Sequence, residues 1–520
     1  MNFGEGLDRE TGSMAVEPST YEDLRNVHLG AGKAEIRQGN KIIVATPPAG
    51  TDAVLAFHPI RSQNITVVIT LTNATRLVQL WLMANDGSTC TLVGTIWTLP
   101  VGFAYPKVIT ADSYDLLFMA HDEAVYANRQ VTRYFDPNAV TINDLSVDLN
   151  RDTIVAPMKF RGVVKHLAYI FGWGYGSEVA GQGDRPEIIR CCVPQEPLNW
   201  QPEHYWLAGQ RNEPVLACSP TGETLAVRKA QESYVIFGTD RATFGIKPLD
   251  TKHGAIAARL SFTLGGENYF WSLDGPRVAD GGPSSDLAIP LAVTEAAVSG
   301  KATALTPTEG FIGYHAPRRE LWFVFGQWAY VLNLKDEDKK RWSYHEFDQD
   351  VNCMGLVYAG QVPHVYIGQR SSNVILESDK ATFLDHAAYY YNVYAKTNRY
   401  APAGAGGEAM FPAIYVTLSH FTQGEVYITP FVDGIALERQ KIVLAAAGGV
   451  KTTKVYEYAV SMPVTIAAVE VARVYGRGTW IQVLVETVNG AGSVGRVIIE
   501  QVEAEYEVVR ESKVSGAIAA

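Results

Sequence analysis

The stretch NYFWSLDGPRVADGG occupies residues 268–282. An aromatic run meets an Asp-Gly, and a second half ends in another Asp-Gly. Taken alone, Asp274 has three readings: a catalytic acid, a metal ligand, or the corner of a hairpin. Recurrence along the chain decides among them. ESYVIFGTDRATFGI (232–246) repeats the plan of strand, polar turn, strand. YDLLFMAHDEAVYAN (114–128), RELWFVFGQWAYVLNL (319–334) and PHVYIGQRSSNVILES (363–378) do the same, as does the earlier ITVVITLTNATRLVQLWL (65–82). Each first run is rich in β-branched or aromatic residues and stops at Gly, Asp, Thr, Ser or Gln, which turns favour. Asp274-Gly275 therefore reads as a hairpin corner, with Tyr269, Trp271 and Leu273 on one face and Phe270 on the other. Both faces are then expected to be buried between neighbouring sheets.

The hairpins recur every ~35–65 residues, near the ~40–50 of four-stranded propeller blades. No WD or kelch phrase accompanies them, so the repeat is one of shape. Closing blades into a circle also protects strand edges that would otherwise invite aggregation. The reading is an all-β chain with a β-propeller of six to eight blades, an N-terminal arm and a C-terminal β-sandwich. The expected limits are 1–48 for the arm and first strand, 49–380 for the propeller, 381–400 for a connector, 401–512 for the sandwich and 513–520 for a flexible tail. In the arm, residues 21–27 predict a short polar helix, and Glu35 and Arg37 alternate with their neighbours as on an exposed strand edge. In the sandwich, Asp433-Gly434 and Asn489-Gly490 are strong hairpin turns.

Composition narrows the function. The 520 residues are 47% hydrophobic and 19% charged, with 46 Gly, and carry a formal charge of −11. That is the composition of a globular chain, and its acidic balance argues against gripping nucleic acid by phosphate neutralisation. Five cysteines (90, 191, 192, 218, 353) form no CxxC pair and no regular framework, which predicts packed thiols in a reducing compartment. The start MNFGEGLDRETGS lacks the basic and apolar regions of a signal peptide, so none is expected. The sequons at Asn64 and Asn73 are then chance matches.

Motifs for chemistry are sparse. The chain has no GxxxxGK[ST], GxSxG or HExxH, and no zinc-like His/Cys spacing. DEDKKR (336–341) lacks the Gly and final Glu of a calcium loop. GYGSE (174–178) is followed by no helix pattern and reads as a surface loop. Arg318-Arg319 and Lys339-Lys340-Arg341 are flanked by acids and read as solvated faces. An enzyme on this fold would bring carboxylates together at the channel, and Asp112, Asp115, Asp240, Asp274 and Glu320 are the candidates. Asp240 and Asp274 also have a plain explanation in hairpin turns. Trp81, Trp97, Trp173, Trp200, Trp271, Trp322 and Trp328 could stack on sugars, but their places in strand runs favour packing between blades. No catalytic, cofactor or metal residue is assigned, and no cofactor is expected.

Three phrases together resemble the tail nozzle and tail-hub proteins of tailed bacteriophages, which include packaged-DNA stabilisation and tail tubular proteins. The opening GLDRETG…EPSTYEDLRNVHLGAGKAEIRQG supplies Gly6-Leu7-Asp8, Asn26, and Gly32 through Arg37 to Gly39. The middle supplies a strand-turn-strand unit, then Gly254 to Ala257, then a strand ending in Asp-Gly. The end, RVIIEQVEAEYEVVRESK, resembles the last strand of the closing domain. The resemblance covers most of the chain in order, without the longer insertions of some members. It implies a non-enzymatic virion subunit in a hexameric ring below portal and adaptor proteins, made in the host bacterial cytoplasm. Its implied neighbours are tail fibre, needle or plug proteins, with DNA passing through the lumen unread. The alternative is a carbohydrate-binding or carbohydrate-cleaving propeller.

Overall fold

The computed structural model describes residues 21–30, 33–37, 40–43, 47, 51–101, 105–148, 155–174, 185–210, 213–287, 309–335, 341–378, 394–397, 399–402, 408–420, 424–444, 449–457, 477–486 and 497–510. Among these residues the regular structure is strands and short 3-10 turns. Five antiparallel sheets of four strands follow one another along the chain. They begin with the inner strands Ala53–Ile60, Val108–Ser113, Gly162–His166, Ala217–Thr221 and Ser261–Leu264.

Two further blades follow. Phe311–His315 opens the sixth and pairs with the first half of the run Glu320–Asn333. That run doubles back on itself: the Leu334 N–H donates to the Arg319 carbonyl at 2.9 Å, and Gly326 at its middle has φ +64°. A straight strand would hold those two residues roughly 50 Å apart. The long run Arg341–Ala359 then serves two blades. Its first part closes the sixth against residues 328–333, and its last part pairs with Val362–Gln369. The seventh blade continues through Ile375–Glu377 and is completed by Lys41–Ile42, from the start of the chain.

The inner strands contact one another in chain order, and that of the seventh touches that of the first. The described residues therefore form a closed propeller of seven blades, within the range the sequence indicates. Alternation along each strand fills the gaps between blades. Phe270 packs with Ala217, Ala255 and Ala279 toward the fourth blade. Tyr269 and Trp271 pack with Phe323, Tyr330 and Trp342 toward the sixth, and the Trp271 ring lies 4.8 Å from Phe325.

The C-terminal strands form two facing sheets. One contains Tyr394–Thr397, Ile481–Glu486 and Gly424–Val432; the other contains Val497–Arg510, Glu408–His420 and Gly449–Glu457. Asp433 and Gly434 turn the expected hairpin with φ of 48° and 83°, while Asn489-Gly490 lies outside the described residues. Residues 394–397, expected in the connector, are a sandwich strand; 381–393 lie outside the described residues.

The N-terminal segment departs most from expectation. Residues 21–27 are not helical: Tyr21–Arg25 adds to the first sandwich sheet and Val27–Gly30 to the second, with Lys33–Ile36 beside it. Leu24, Val27 and Leu29 enter the sandwich core, a burial that outweighs local helix preference. The corner is Asn26, fully buried at φ +56°. Nor is Glu35-Ile36-Arg37 an exposed edge, since its strand pairs on both sides and Arg37 is buried. Residues 122–132 are not a second strand of the 114–128 hairpin either; the strand partners of Leu116–His121 are Val108–Ser113 and Arg133–Asp136.

One consequence of burial is directly measurable. His121 is almost fully buried beside Trp97, and its Nδ1 accepts the Gln130 N–H at 3.2 Å, an arrangement of the neutral ring. Burial pushes its pKa down to about 4, with Asp122 opposing and Arg129 adding to the shift. Between the unfolded value near 6.5 and that folded value the unfolded chain binds more protons, so stability falls as pH falls. Denaturant titrations at pH 6.5 and pH 5 should show a loss of roughly 1.6 kcal/mol from this residue, a little under the full 1.4 kcal/mol per unit because the unfolded imidazole is half protonated at pH 6.5. His121→Gln, which keeps an acceptor, should remove that part of the pH dependence.

Candidate functional site

The five candidate carboxylates do not converge on the channel. Glu320 is fully buried and accepts from His28 Nδ1 at 2.9 Å and Trp322 Nε1 at 3.1 Å. Burial works against its charge, but the charge and hydrogen bond of His28 hold its pKa below the ordinary value. It fastens the strand Val27–Gly30 to the sixth blade and has no path to substrate. Asp240 caps a surface turn, its Oδ1 accepting the Thr243 N–H at 3.0 Å.

Asp274 also lies in a turn, one residue out of the expected register. Ser272 pairs with Gly275, so the two-residue loop is Leu273-Asp274. Leu273 is 68% exposed instead of sharing the Tyr269–Trp271 face. Gly275, at φ +127°, takes the conformation that L side chains resist. Asp274 bonds the Ser272 hydroxyl and Arg277 at 3.2 Å, and His253 Nε2 lies 3.5 Å away. Partial burial raises its pKa, but Ser272, Arg277 and His253 together hold it low.

Asp112 and Asp115 are brought together with His58, a residue that no sequence motif singles out. The inner strand of the first blade carries His58, and that of the second carries Thr110 and Asp112, alternate residues on one face. His58 Nδ1 lies 3.1 Å from Thr110 Oγ1, and its Nε2 lies 3.3 Å from Asp112 Oδ1. The hydrogen bond from His58 depresses the Asp112 pKa. His58, Asp112 and Asp115, the last at φ +61° in the following turn, line a cleft of about 380 Å³ between blades one and two. A His–carboxylate pair can move a proton. Here the imidazole also spans two positions of a single strand, which makes it a tie between blades.

A larger cleft of about 810 Å³ adjoins it, between blades two and three. Tyr114, half exposed, and Tyr134 face Asp136, Asn138, Asn143 and Asn199. Part of this polar wall is fixed: Asn138 accepts from Gln63 Nε2 at 2.9 Å, and Asn199 donates to Glu196 at 2.6 Å. Aromatic faces set among amides and carboxylates suit a polyhydroxylated ligand. The cleft is assembled from turns far apart in sequence, so no local motif announced it.

The remaining candidates are structural. Trp81, Trp97, Trp173, Trp200, Trp322 and Trp328 are buried, and Trp271 is partly so within its cluster. Four cysteines are buried and Cys90 is half-buried; all are free thiols in strands, and burial lifts Cys90 and Cys192 to about 11. Arg318 is not solvated: it makes a bidentate pair with Glu35 at 2.8 and 2.9 Å, and Arg319 takes φ +54° in the turn beside it. Residues 175–178 and 336–340 lie outside the described residues.

No protein-family model matches the chain, and no curated protein matches it. Among solved structures, a chain of the mitotic checkpoint complex is 10% identical at a TM-score of 0.35, over 72% of this chain and 96% of that one. The Dos1 propeller is 9% identical at a TM-score of 0.35, over 63% and 78%. Likenesses of this size add nothing to the strand pairings, which define the propeller by themselves.

The Asp274 corner separates chemistry from architecture. Asp274→Asn should change stability by less than about 1 kcal/mol, because its ion pairs are half exposed. Gly275→Val should cost roughly 1–3 kcal/mol from backbone strain alone, since the space around it is open. Urea denaturation of the two variants measures both.

Proposed function

We propose that this protein is a structural subunit of a tailed-phage virion. In this reading it forms a ring, hexameric in the proteins it resembles, at the distal end of a tail or connector. The ring lines the DNA exit channel and helps retain and release the genome. The observation that carries the reading is the place of the residues behind the resemblance. Asn26 and Arg37 are both buried where the sandwich meets the propeller. Asn26 Oδ1 accepts the Glu346 N–H at 2.8 Å, and Arg37 Nη2 donates to the Glu346 carbonyl at 3.0 Å. In this reading the phrase serves to join two domains into one stiff body, which is what a ring subunit under load requires.

Its partners in this reading are copies of itself, portal and adaptor proteins above, and fibre, needle or plug proteins below. The net charge of −11 suits a wall that DNA slides past without specific binding. No catalysis is assigned to it. Mass spectrometry of purified phage particles whose genome encodes this chain should find it in the virion, and its deletion should give heads that leak DNA. Its absence from particles would overturn the reading.

The cleft between blades two and three favours a second reading, carbohydrate recognition, because Tyr114 stands exposed among Asp136, Asn138 and Asn143. Glycan-array binding by the purified chain that Tyr114→Ala reduces at least tenfold would select it. No binding across the array would remove it.

A further inference from the structure

The axial end of the propeller where the inner strands begin carries a set of charges that neither cleft explains. Lys107 and Arg161 directly precede the inner strands of blades two and three. Arg259 and Glu309 stand two residues before those of blades five and six. Asp122 and Arg370 follow the second strands of blades two and seven, which end on the same side. Their contacts run around and across the axis. Arg161 donates to Asp122 at 2.7 and 2.9 Å, and Arg370 pairs with Glu309 at 2.7 Å. The Arg370 guanidinium lies 4.2 Å from the centre of the Tyr105 ring, in the connection leading to blade two.

Arg259 is placed differently. Its Nη2 donates to the Glu309 backbone carbonyl at 3.0 Å and its guanidinium sits 5.5 Å from the Phe311 ring, but its buried Nε has no hydrogen-bond partner among the described residues. The nearby Glu309 carboxylate is committed to Arg370. Arg259 and Lys107 also lie within electrostatic reach of each other, although blades two and five are three positions apart in a ring of seven. Such reach has to cross the axis. Burial lowers the pKa of both groups, and Arg259 and Arg161 add to the lowering at Lys107 while Asp122 and Glu309 oppose it. Among the described residues, Lys107, Arg161, Arg259 and Arg370 thus stand at this mouth around Asp122 and Glu309, each of these two carboxylates bonded to an arginine.

We propose that this axial mouth binds a phosphate-type oxyanion, held by Arg259 with Lys107 and Arg370 around it. A planar guanidinium offers parallel N–H donors matched to oxyanion geometry, and an anion would satisfy the buried Nε while relieving repulsion among the cations. The ligand is inorganic phosphate or the terminal phosphate of a small phosphomonoester. This site is independent of the ring reading.

Thermal unfolding of the full chain tests it, with sodium phosphate or adenosine monophosphate titrated against sodium chloride at matched ionic strength. The expected result is a saturating rise of roughly 2–4 °C with at least one phosphate, beyond chloride. A response to inorganic phosphate assigns the free ion, and a response to the monophosphate alone assigns a phosphoester. Arg259→Gln should abolish the rise while leaving the ligand-free unfolding temperature unchanged or higher, because a repelled charge is removed. Arg259→Lys keeps charge but not the fork and should weaken the response at least tenfold in half-saturating concentration. It also serves if the glutamine variant does not fold. Arg241→Gln, at an exposed surface arginine, should respond as the unmodified protein does. No saturable response to either phosphate, or an equal response in the Arg259 variants, would overturn the proposal.

Discussion

The structure depends on one buried corner, Asn26. Its backbone N–H donates to the Tyr344 carbonyl at 2.8 Å, its own carbonyl accepts from Arg37 at 2.9 Å, and its side chain accepts from Glu346. A residue at φ +56° is costly for most side chains, and Asn is among the few that adopt it readily. This corner passes the chain from one sandwich sheet to the other while tying both to the outer strand of the sixth blade. Around it stand the Glu35–Arg318 and His28–Glu320 pairs, with Asn333 donating to the Leu29 carbonyl. Hydrogen bonding therefore continues from sandwich to propeller, through Arg25 paired in parallel with Tyr344.

The same N-terminal segment then closes the ring. Lys41–Ile42 supplies the outer strand of the seventh blade, and Ile43 joins the cluster of Val54, Phe57, Trp81 and Tyr366 between blades seven and one. A propeller whose last blade is completed by a strand from the start of the chain cannot open there without breaking a sheet. The same few residues that fix the domains to each other thus also lock the circle, and function must be carried by faces and mouths around a rigid frame.

Much of this frame was legible in the sequence. The 268–282 hairpin buries both faces because aromatic residues stand at consecutive positions, whereas a solvated sheet would alternate with polar ones. The doubled-back run at 319–334 was legible from Gly326-Gln327 between two apolar runs. Other features were hidden. Leu24 and Val27 sit three apart, as on a helix, and only the sandwich core shows that they belong to two sheets. Arg318 and Arg37 look solvated because their partners, Glu35 and the Glu346 carbonyl, are about three hundred residues away. His58 gave no signal, since the hydroxyl and carboxylate it joins stand on another blade.

The sequence by itself determined the class of structure: β-rich runs, tight turns and aromatic alternation admit a closed all-β body followed by a sandwich. These are local signals, written within ten or so residues by backbone preference and side-chain period. Tertiary structure decided everything that depends on distant segments meeting. It set the number of blades, the use of the N-terminus in three sheets, the fate of each carboxylate, and the gathering of Lys107, Arg161, Arg259 and Arg370 at one axial mouth. The reason is physical: charge and burial act through space, and a circular fold brings together residues that no window of sequence contains.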